Sequence, residues 1–467
     1  MKSLVYPFIA SLLLSSCGLF GTYQRDIATF QPVVDSLYRV PMGEATTVAH
    51  SDTMHFGNTP WREVFTDSHL QELIAQALTH NTDIRKAELT IKQAEIGLRI
   101  NKLAYLPSLV FSPSGTLAKT FMEGVDGVST YDLPLQASWQ IDAFGTLYNA
   151  KKQGELTVQQ AQAGRQAART AIIASVANLY YSLQMLDEQL AITRSTVEIW
   201  KKNVQTMQAM KEAGMTHSAA VASAQAQLVQ IESSVPTIEQ NIVEVEHALS
   251  LLLHEAPHHI ARHKASEMQL PSSFSIGLPI QLLGNRPDVA IAEAKLAQAF
   301  YGIQAARGAF YPKLMINAQG KFTNSLGSMV LNPGKFIAAG VASLTQPLFA
   351  QGKLKGNLEI AHLQQQSAQL DFERSLLVAG QEVSNALFKY QATTQNARLA
   401  EERLRLLQKA NEDINYLFRN GNTTSYLETL TAQMNLLNGQ LTLANHRYAQ
   451  AQSVIALYKA LGGGRED

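Results

Sequence analysis

The chain is short of three things. It has one cysteine in 467 residues, and charged side chains make up only 16% of it. Past the N-terminus, no apolar run approaches the ~18 residues that a membrane-spanning helix needs. One cysteine excludes an internal disulfide and a cysteine-built zinc site. Lys+Arg 38 cancel Asp+Glu 38, so no net field recruits nucleic acid, and no nucleic-acid partner is expected. A mean hydropathy of −0.07 is too polar for a bundle of membrane helices. The charged fraction is nevertheless well under the roughly 25% of soluble globular chains. The polar surface therefore rests on Gln, Asn, Ser and Thr. Catalytic patterns are absent as well: there is no His-Glu-x-x-His, no Gly-x-Ser-x-Gly and no phosphate-binding glycine loop. No enzyme activity and no cofactor are expected.

The openly apolar stretch is at the start. Lys2 precedes an apolar segment from Leu4 to Leu14, which is followed by Leu14-Ser15-Ser16-Cys17. This is the layout of a secretory signal peptide, and the last four residues resemble a bacterial lipobox. The reading is a signal over 1–16 and a lipidated, extended segment over 17–60, with Cys17 as the acylated first mature residue. Several acyl chains would anchor it firmly in lipid.

The rest is written twice. Asp83 and Pro107 are separated by the same 24 positions as Asp288 and Pro312, and each pair lies 205 residues from its counterpart. Gly145 and Gly352, and likewise Gly214 and Gly421, lie 207 apart. The expected units are a first repeat over 61–254, an equatorial connector over 255–286, a second repeat over 287–461 and a tail over 462–467.

Each repeat carries two long 4-3 patterns of apolar residues. One runs from Leu179 through Leu183, Trp200 and Met207. Another runs from Val221 through Ile231 and Leu249 to Leu252, and a third from Leu427 through Leu437 and Ala451 to Tyr458. A sustained 3.5-residue period means coiled-coil packing. A helix from Thr146 to Lys211 would span ~100 Å at 1.5 Å per residue. Pro236 is expected to bend its helix, and Gly214 and Gly421 mark tight reversals. The helical hairpins are expected at about 146–254 and 352–461.

Between the helices lie strands, at about 108–142 and 313–346. Leu133, Leu135, Ala137, Trp139 and Ile141 alternate with polar partners, as do Leu314, Ile316, Ala318, Gly320 and Phe322. This is the period-2 signal of transmembrane barrel strands. Four strands cannot enclose a channel, since small barrels begin at about eight. Other copies of the chain must complete them.

Together with these features occur Asn285-Arg286-Pro287-Asp288, Gln346-Pro347-Leu348-Phe349 and Tyr426-Leu427-Glu428-Thr429-Leu430-Thr431-Ala432-Gln433. In this combination the chain resembles the TolC-like outer-membrane efflux proteins, particularly their lipoprotein branch. The resemblance implies a mainly α fold with a small transmembrane β-barrel portion, built on a duplicated helix–strand–strand–helix–helix unit. It implies a homotrimer whose strands share one barrel and whose helices form a periplasmic tunnel. It also implies outer-membrane lipid around the barrel, a periplasmic adaptor at the helical turns and an inner-membrane efflux pump. The chain would be the passive exit duct of a tripartite system. A type I secretion channel and a non-conducting trimeric coiled-coil lipoprotein are the alternatives.

The family narrows its tunnel with carboxylates near the helical turns. Its tip pattern, tyrosine-leucine-Asp-x-leucine-Asp-Ala-Gln, places Glu428 at the first carboxylate and Thr431 at the second. Heptad alignment puts Ala222 and Gln225 at the matching places of the first repeat. The resemblance makes Lys211, Gly214, Arg419 and Gly421 adaptor contacts. Arg286-Pro287-Asp288 also has a local account as helix-start chemistry. His254/His258 and His259/His263 have the i, i+4 spacing of helical metal ligands, but Pro257 interrupts them. They read as a polar connector, and no metal is expected.

Overall fold

The computed structural model describes residues 21–24, 46–48, 56–118, 128–271, 274–276, 286–323, 335–420 and 425–465. Cys17, its signal segment and Gly421 lie outside them. The chain divides into two compact units. The first holds residues 1–28, 89–162 and 291–373, and the second holds 29–88, 163–290 and 374–467.

The helices are α1 (Trp61–Val64), α2 (Ser68–His80), α3 (Thr82–Leu103), α4 (Thr146–Glu212), α5 (Ser218–Leu253), α6 (Pro287–Gly308), α7 (Lys353–Arg419) and α8 (Tyr426–Ala460). Duplication is visible in their lengths. Helices α3 and α6 have 22 residues each and begin and end 205 positions apart. Helices α4 and α7 have 67 each and begin and end 207 apart. Gly145 and Gly352, just before α4 and α7, have φ of 72° and 77°. A side chain resists that left-handed conformation, so glycine marks the start of each long helix. No described helix is long and apolar enough to cross a membrane.

The first unit contains the main sheet. Its strands are β2 (Ser108–Phe111), β3 (Ser114–Ala118), β4 (Val128–Ile141), β6 (Lys313–Thr323) and β7 (Lys335–Thr345). The order is β2-β4-β6-β7, with β3 also on β4, and every pairing is antiparallel. Strands β2 and β3 keep one register against β4 and are parted at Ser112–Pro113. On one face Leu133, Leu135, Ala137, Trp139 and Ile141 stand opposite Phe322, Gly320, Ala318, Ile316 and Leu314. The other face is more polar, with Val110 and Val341 also exposed on it: Lys321 Nζ lies 3.1 Å from Asp132 Oδ1, and Ser138 Oγ donates to Asn317 Oδ1 at 2.8 Å. Leu109, Phe111, Leu117, Leu133, Leu135, Trp139 and Leu344 are all exposed on the apolar face. So much contiguous apolar surface marks a lipid or protein contact.

In the second unit the long helices change character along their length. Between residues 172 and 186, α4 is buried on nearly all sides, through Ile172, Ile173, Val176, Ala177, Tyr180, Leu183, Gln184 and Leu186. The 3.5-residue stripe alone does not foresee this. The extra cover includes the C-terminal turn: Gly463 O accepts from Thr170 Oγ1 at 2.7 Å, and Gly464 O from Arg169 Nε at 2.9 Å. Beyond this collar the stripe returns. Val197 and Trp200 of α4, Ile231 of α5 and Leu437 of α8 form one core cluster. Met207, Val221 and Ala224 form the next, packed by Tyr426 and Leu430.

Helix α5 continues through Pro236, where the proline removes one backbone N–H without ending the helix. Two expectations need correction. Leu427 is 72% exposed and does not belong to the core stripe, which starts with buried Thr429 and half-buried Leu430. The connector is more than polar linker. It buries Ile260 and contributes β5 (Phe274–Ile276), which pairs in parallel with β1 (Thr46–Val48).

Candidate channel site

Two turns end the hairpins of the second unit. The α4–α5 turn closes through Gly214 at φ 68°, with its N–H on Lys211 O and Met215 N–H on Met210 O at 2.8 Å. His217 then caps α5, its Nδ1 accepting from Ala220 N–H. Lys211 and Gly214 are both exposed. On the other hairpin, Arg419 is the last residue of α7, and Ser425 Oγ caps α8 by accepting from Glu428 N–H.

Above these turns the two hairpins are joined by neutral groups. Tyr426 OH donates to Asn203 O at 2.9 Å, and burial pushes its pKa up to about 12. Asn203 Nδ2 also donates to Gln433 Oε1. Phe418 packs on the Tyr426 ring at 5.2 Å. Among the described residues, no ion pair lies closer to the turns than Lys201–Glu232.

Glu428 and Thr431 are exposed on one face of α8 and share a groove with Leu407, Ala410 and Ile414 of α7. Thr431 is not a free polar group there, because its hydroxyl donates back to Leu427 O at 2.8 Å. The first-repeat counterparts must be moved. Caps His217 and Ser425 lie 208 residues apart. The buried pairs Val221 and Ala224, and Thr429 and Ala432, keep that spacing. Ala220 and Ser223 therefore correspond to Glu428 and Thr431. Ala222 and Gln225 are exposed on α5 but two positions out of phase.

At the collar the chemistry is ionic. Arg262 is nearly buried between Asp187, at 2.5 and 2.8 Å, and Glu246, at 2.5 Å. Burial alone would raise the pKa of Glu246, but the Arg262 guanidinium outweighs it and holds the carboxylate below its usual range. Asp67 caps α2 and accepts from Tyr180 OH at 2.8 Å and His263 Nδ1 at 3.0 Å. Those bonds also outweigh burial and hold its pKa down. Arg286 does more than begin a helix. It grips Asp288 with two nitrogens, reaches Glu382 at 2.6 Å and donates to Ala460 O at the end of α8.

The four histidines fall apart as a cluster. His254 ends α5 in a left-handed conformation, φ 61°, so no helix carries it to His258. His259 bonds Glu246, His258 lies near Ser250 and Glu255, and His263 is on Asp67. No group of three His, Cys, Asp or Glu residues suited to a metal occurs among the described residues. Sequence offers no sign of the Asp67–His263 or Arg262–Asp187 pairs, since each joins distant segments.

The sequence profile described as outer membrane efflux protein matches residues 73–254 and 278–463. The chain belongs to that family. Among its relatives, the cation efflux system protein CusC of Escherichia coli is 27% identical over 98% of both chains. The toluene efflux pump outer membrane protein TtgC of Pseudomonas putida is 27% identical over 99% of this chain and 96% of its own. A CusC crystal structure matches with a TM-score of 0.78 at 25% identity, covering 91% of this chain and 99% of that one. The open-state MtrE channel of Neisseria gonorrhoeae shares the fold, with a TM-score of 0.81 over 91% and 98%. As an outer membrane efflux protein, the chain works at the outer membrane. Its apolar sheet face is the surface suited to lipid.

Proposed function

We propose that three copies of this chain form the passive exit duct of a tripartite efflux system. Each gives four strands to a shared barrel, counting β2 and β3 as one, and its helices line a periplasmic tunnel. The observation that carries this reading is the open sheet: among the described residues β7 pairs only with β6, and β2 and β3 only with β4. Two unpaired edges are untenable in a membrane, where every backbone polar group needs a partner, whereas the exposed apolar face is suited to lipid. Cys17 would add a lipid anchor in the same bilayer.

The duct catalyses nothing. An inner-membrane pump supplies energy and selects cargo, and a periplasmic adaptor engages the turns at Lys211, Gly214, Arg419 and Gly421. Three Glu428 carboxylates, one per protomer, form the charged constriction. Opening is a shift between two arrangements of the tips, eased by neutral contacts such as Tyr426–Asn203. Native mass spectrometry and planar-bilayer currents test this together. A three-chain mass with stepwise currents is expected; a monomer without currents would overturn the proposal.

A further inference from the structure

The chain holds one repeat-to-repeat seam inside itself, where β4 of the first repeat meets β6 of the second. If copies join as proposed above, the seam between them is the same junction made again, with β7 meeting β2–β3 of the next copy. We infer its register: Ser343 of one copy stands opposite Ser114 of the next, Leu344 opposite Pro113, Ala342 opposite Gly115 and Val341 opposite Thr116. This rests on the trimeric reading and goes beyond it, since a trimer alone does not fix which residues meet.

The transfer uses the helix offsets and the observed pairings. Helices α3 and α6, which precede β2 and β6, lie 205 apart, so β2–β3 maps onto β6 with that offset. Helices α4 and α7, which follow β4 and β7, lie 207 apart, so β4 maps onto β7 with that one. The pairings of Ser108 with Ser138 and of Lys313 with Thr345 agree with the two offsets together. Within the chain Gln136 stands opposite Gln319, Ala137 opposite Ala318, Leu135 opposite Gly320 and Pro134 opposite Lys321. Carrying these four pairs across the offsets gives the four pairs above.

Two properties of the edges agree with the result. Ser112 N–H donates to Pro134 O, so Ser112 and Ser114 turn their backbone polar groups toward β4. Their neighbours Pro113, Gly115 and Leu117 turn theirs to the open edge. The same bond means that Pro134 does not face β6. Leu135 and Ala137 do, with Gly320 and Ala318, and counting on across β6 leaves Gly340, Ala342 and Leu344 facing outward on β7. The inferred register sets the outward groups of the two edges against each other. Pro113 has no N–H to give, so one bond of this seam is missing, at the point where β2 and β3 part. Edge positions are where a strand tolerates proline.

Side chains agree as well. Leu344 and Leu117, both exposed, join the face of Leu133 and Trp139, making the apolar band continuous across the seam. Ser343, Ser114 and Thr116 join the polar face. A one-residue slip would reverse both faces. A two-residue slip would keep them, so the experiment must separate slips of two.

Disulfide trapping in the full-length protein does this. Ser343→Cys with Ser114→Cys, and Val341→Cys with Thr116→Cys, probe the inferred register. Ser343→Cys with Ser112→Cys or with Thr116→Cys probe slips of two. The first two pairs are of the non-hydrogen-bonded kind, about 4.5 Å between Cα atoms. A slip of two adds a strand rise of ~6.6 Å and takes the Cα atoms beyond the ~7 Å that a disulfide bridges. Oxidation is expected to link both inferred pairs into covalent dimers and trimers, at least about tenfold more than the slipped pairs or any single-cysteine control. Equal or stronger linking of a slipped pair would overturn the register. So would the absence of any link in a protein that native mass spectrometry shows to be trimeric, and the trimer would then stand alone. A monomeric mass would instead remove the trimeric reading and the seam with it.

Discussion

The collar and the tips of the second unit are built from the same helices and held by opposite means. At the collar, buried charges have two or more partners each: Arg262 with Asp187 and Glu246, and Arg286 with Asp288 and Glu382. Toward the turns, the contacts between hairpins are an apolar stripe, a tyrosine hydroxyl and side-chain amides. Arg262 and Glu246 are buried on both sides, and such a pair is costly to separate because the charge left behind is desolvated. Neutral hydrogen bonds are worth about 0.5–1.5 kcal/mol net and exchange readily with water. One set of helices thus has an end held by ion pairs and an end held by neutral contacts.

The largest expected effect is at the collar. Arg262→Ala leaves Glu246 buried without its cation and should cost about 3–5 kcal/mol in denaturant unfolding. A loss below about 1 kcal/mol would break the comparison. Acid should act in the same place. Asp67 and Glu246 both have depressed pKa values in the folded state. Their contribution is complete above ordinary carboxylate values, near and above pH 5, and is lost as pH falls through the depressed values. Hydrogen exchange should therefore speed up at α2 and the collar part of α5 on acidification, before it does at Tyr426 and Asn203. The reverse order would show the tips to be the acid-sensitive end.

Tyr426→Phe removes one neutral bond and should cost about 0.5–1.5 kcal/mol, while raising the open fraction in bilayer recordings. An unchanged open fraction would separate this contact from gating. The smallest effect on stability is at Glu428. It is exposed, so Glu428→Ala should change unfolding by within about 0.5 kcal/mol. Conductance should nevertheless rise, or block by divalent cations weaken, with Thr431→Asp acting in the opposite direction. Identical currents in both variants would remove the carboxylate from the gate.

Much of the architecture was legible because its signals are local. The alternation of Leu133 to Ile141 marks strand β4, and Gly145 and Gly352 mark where α4 and α7 begin. The 205- and 207-residue offsets expose the duplication before any contact is known. The proposed gate was legible only in part. The tip pattern points to Glu428, but aligning heptads put its first-repeat counterpart two positions away from where the caps at His217 and Ser425 place it. Leu427 fits the 4-3 count and still lies outside the core, because Tyr426 and Leu430 are the residues of that turn that pack on Met207, Val221 and Ala224.

Periodicity and glycine placement by themselves determined the long helices and the strands, and the repeat spacing determined the duplication. The helices and strands follow from rules acting over a few neighbouring residues. Tertiary structure alone decided which charges meet. Asp67 finds His263 and Tyr180, Arg286 finds Glu382 and Ala460, and β1 finds β5, each across a separation that no local pattern encodes. It also decided that α4 is wrapped on nearly all sides near Tyr180 and on one side near Trp200. That difference depends on what the rest of the chain packs there.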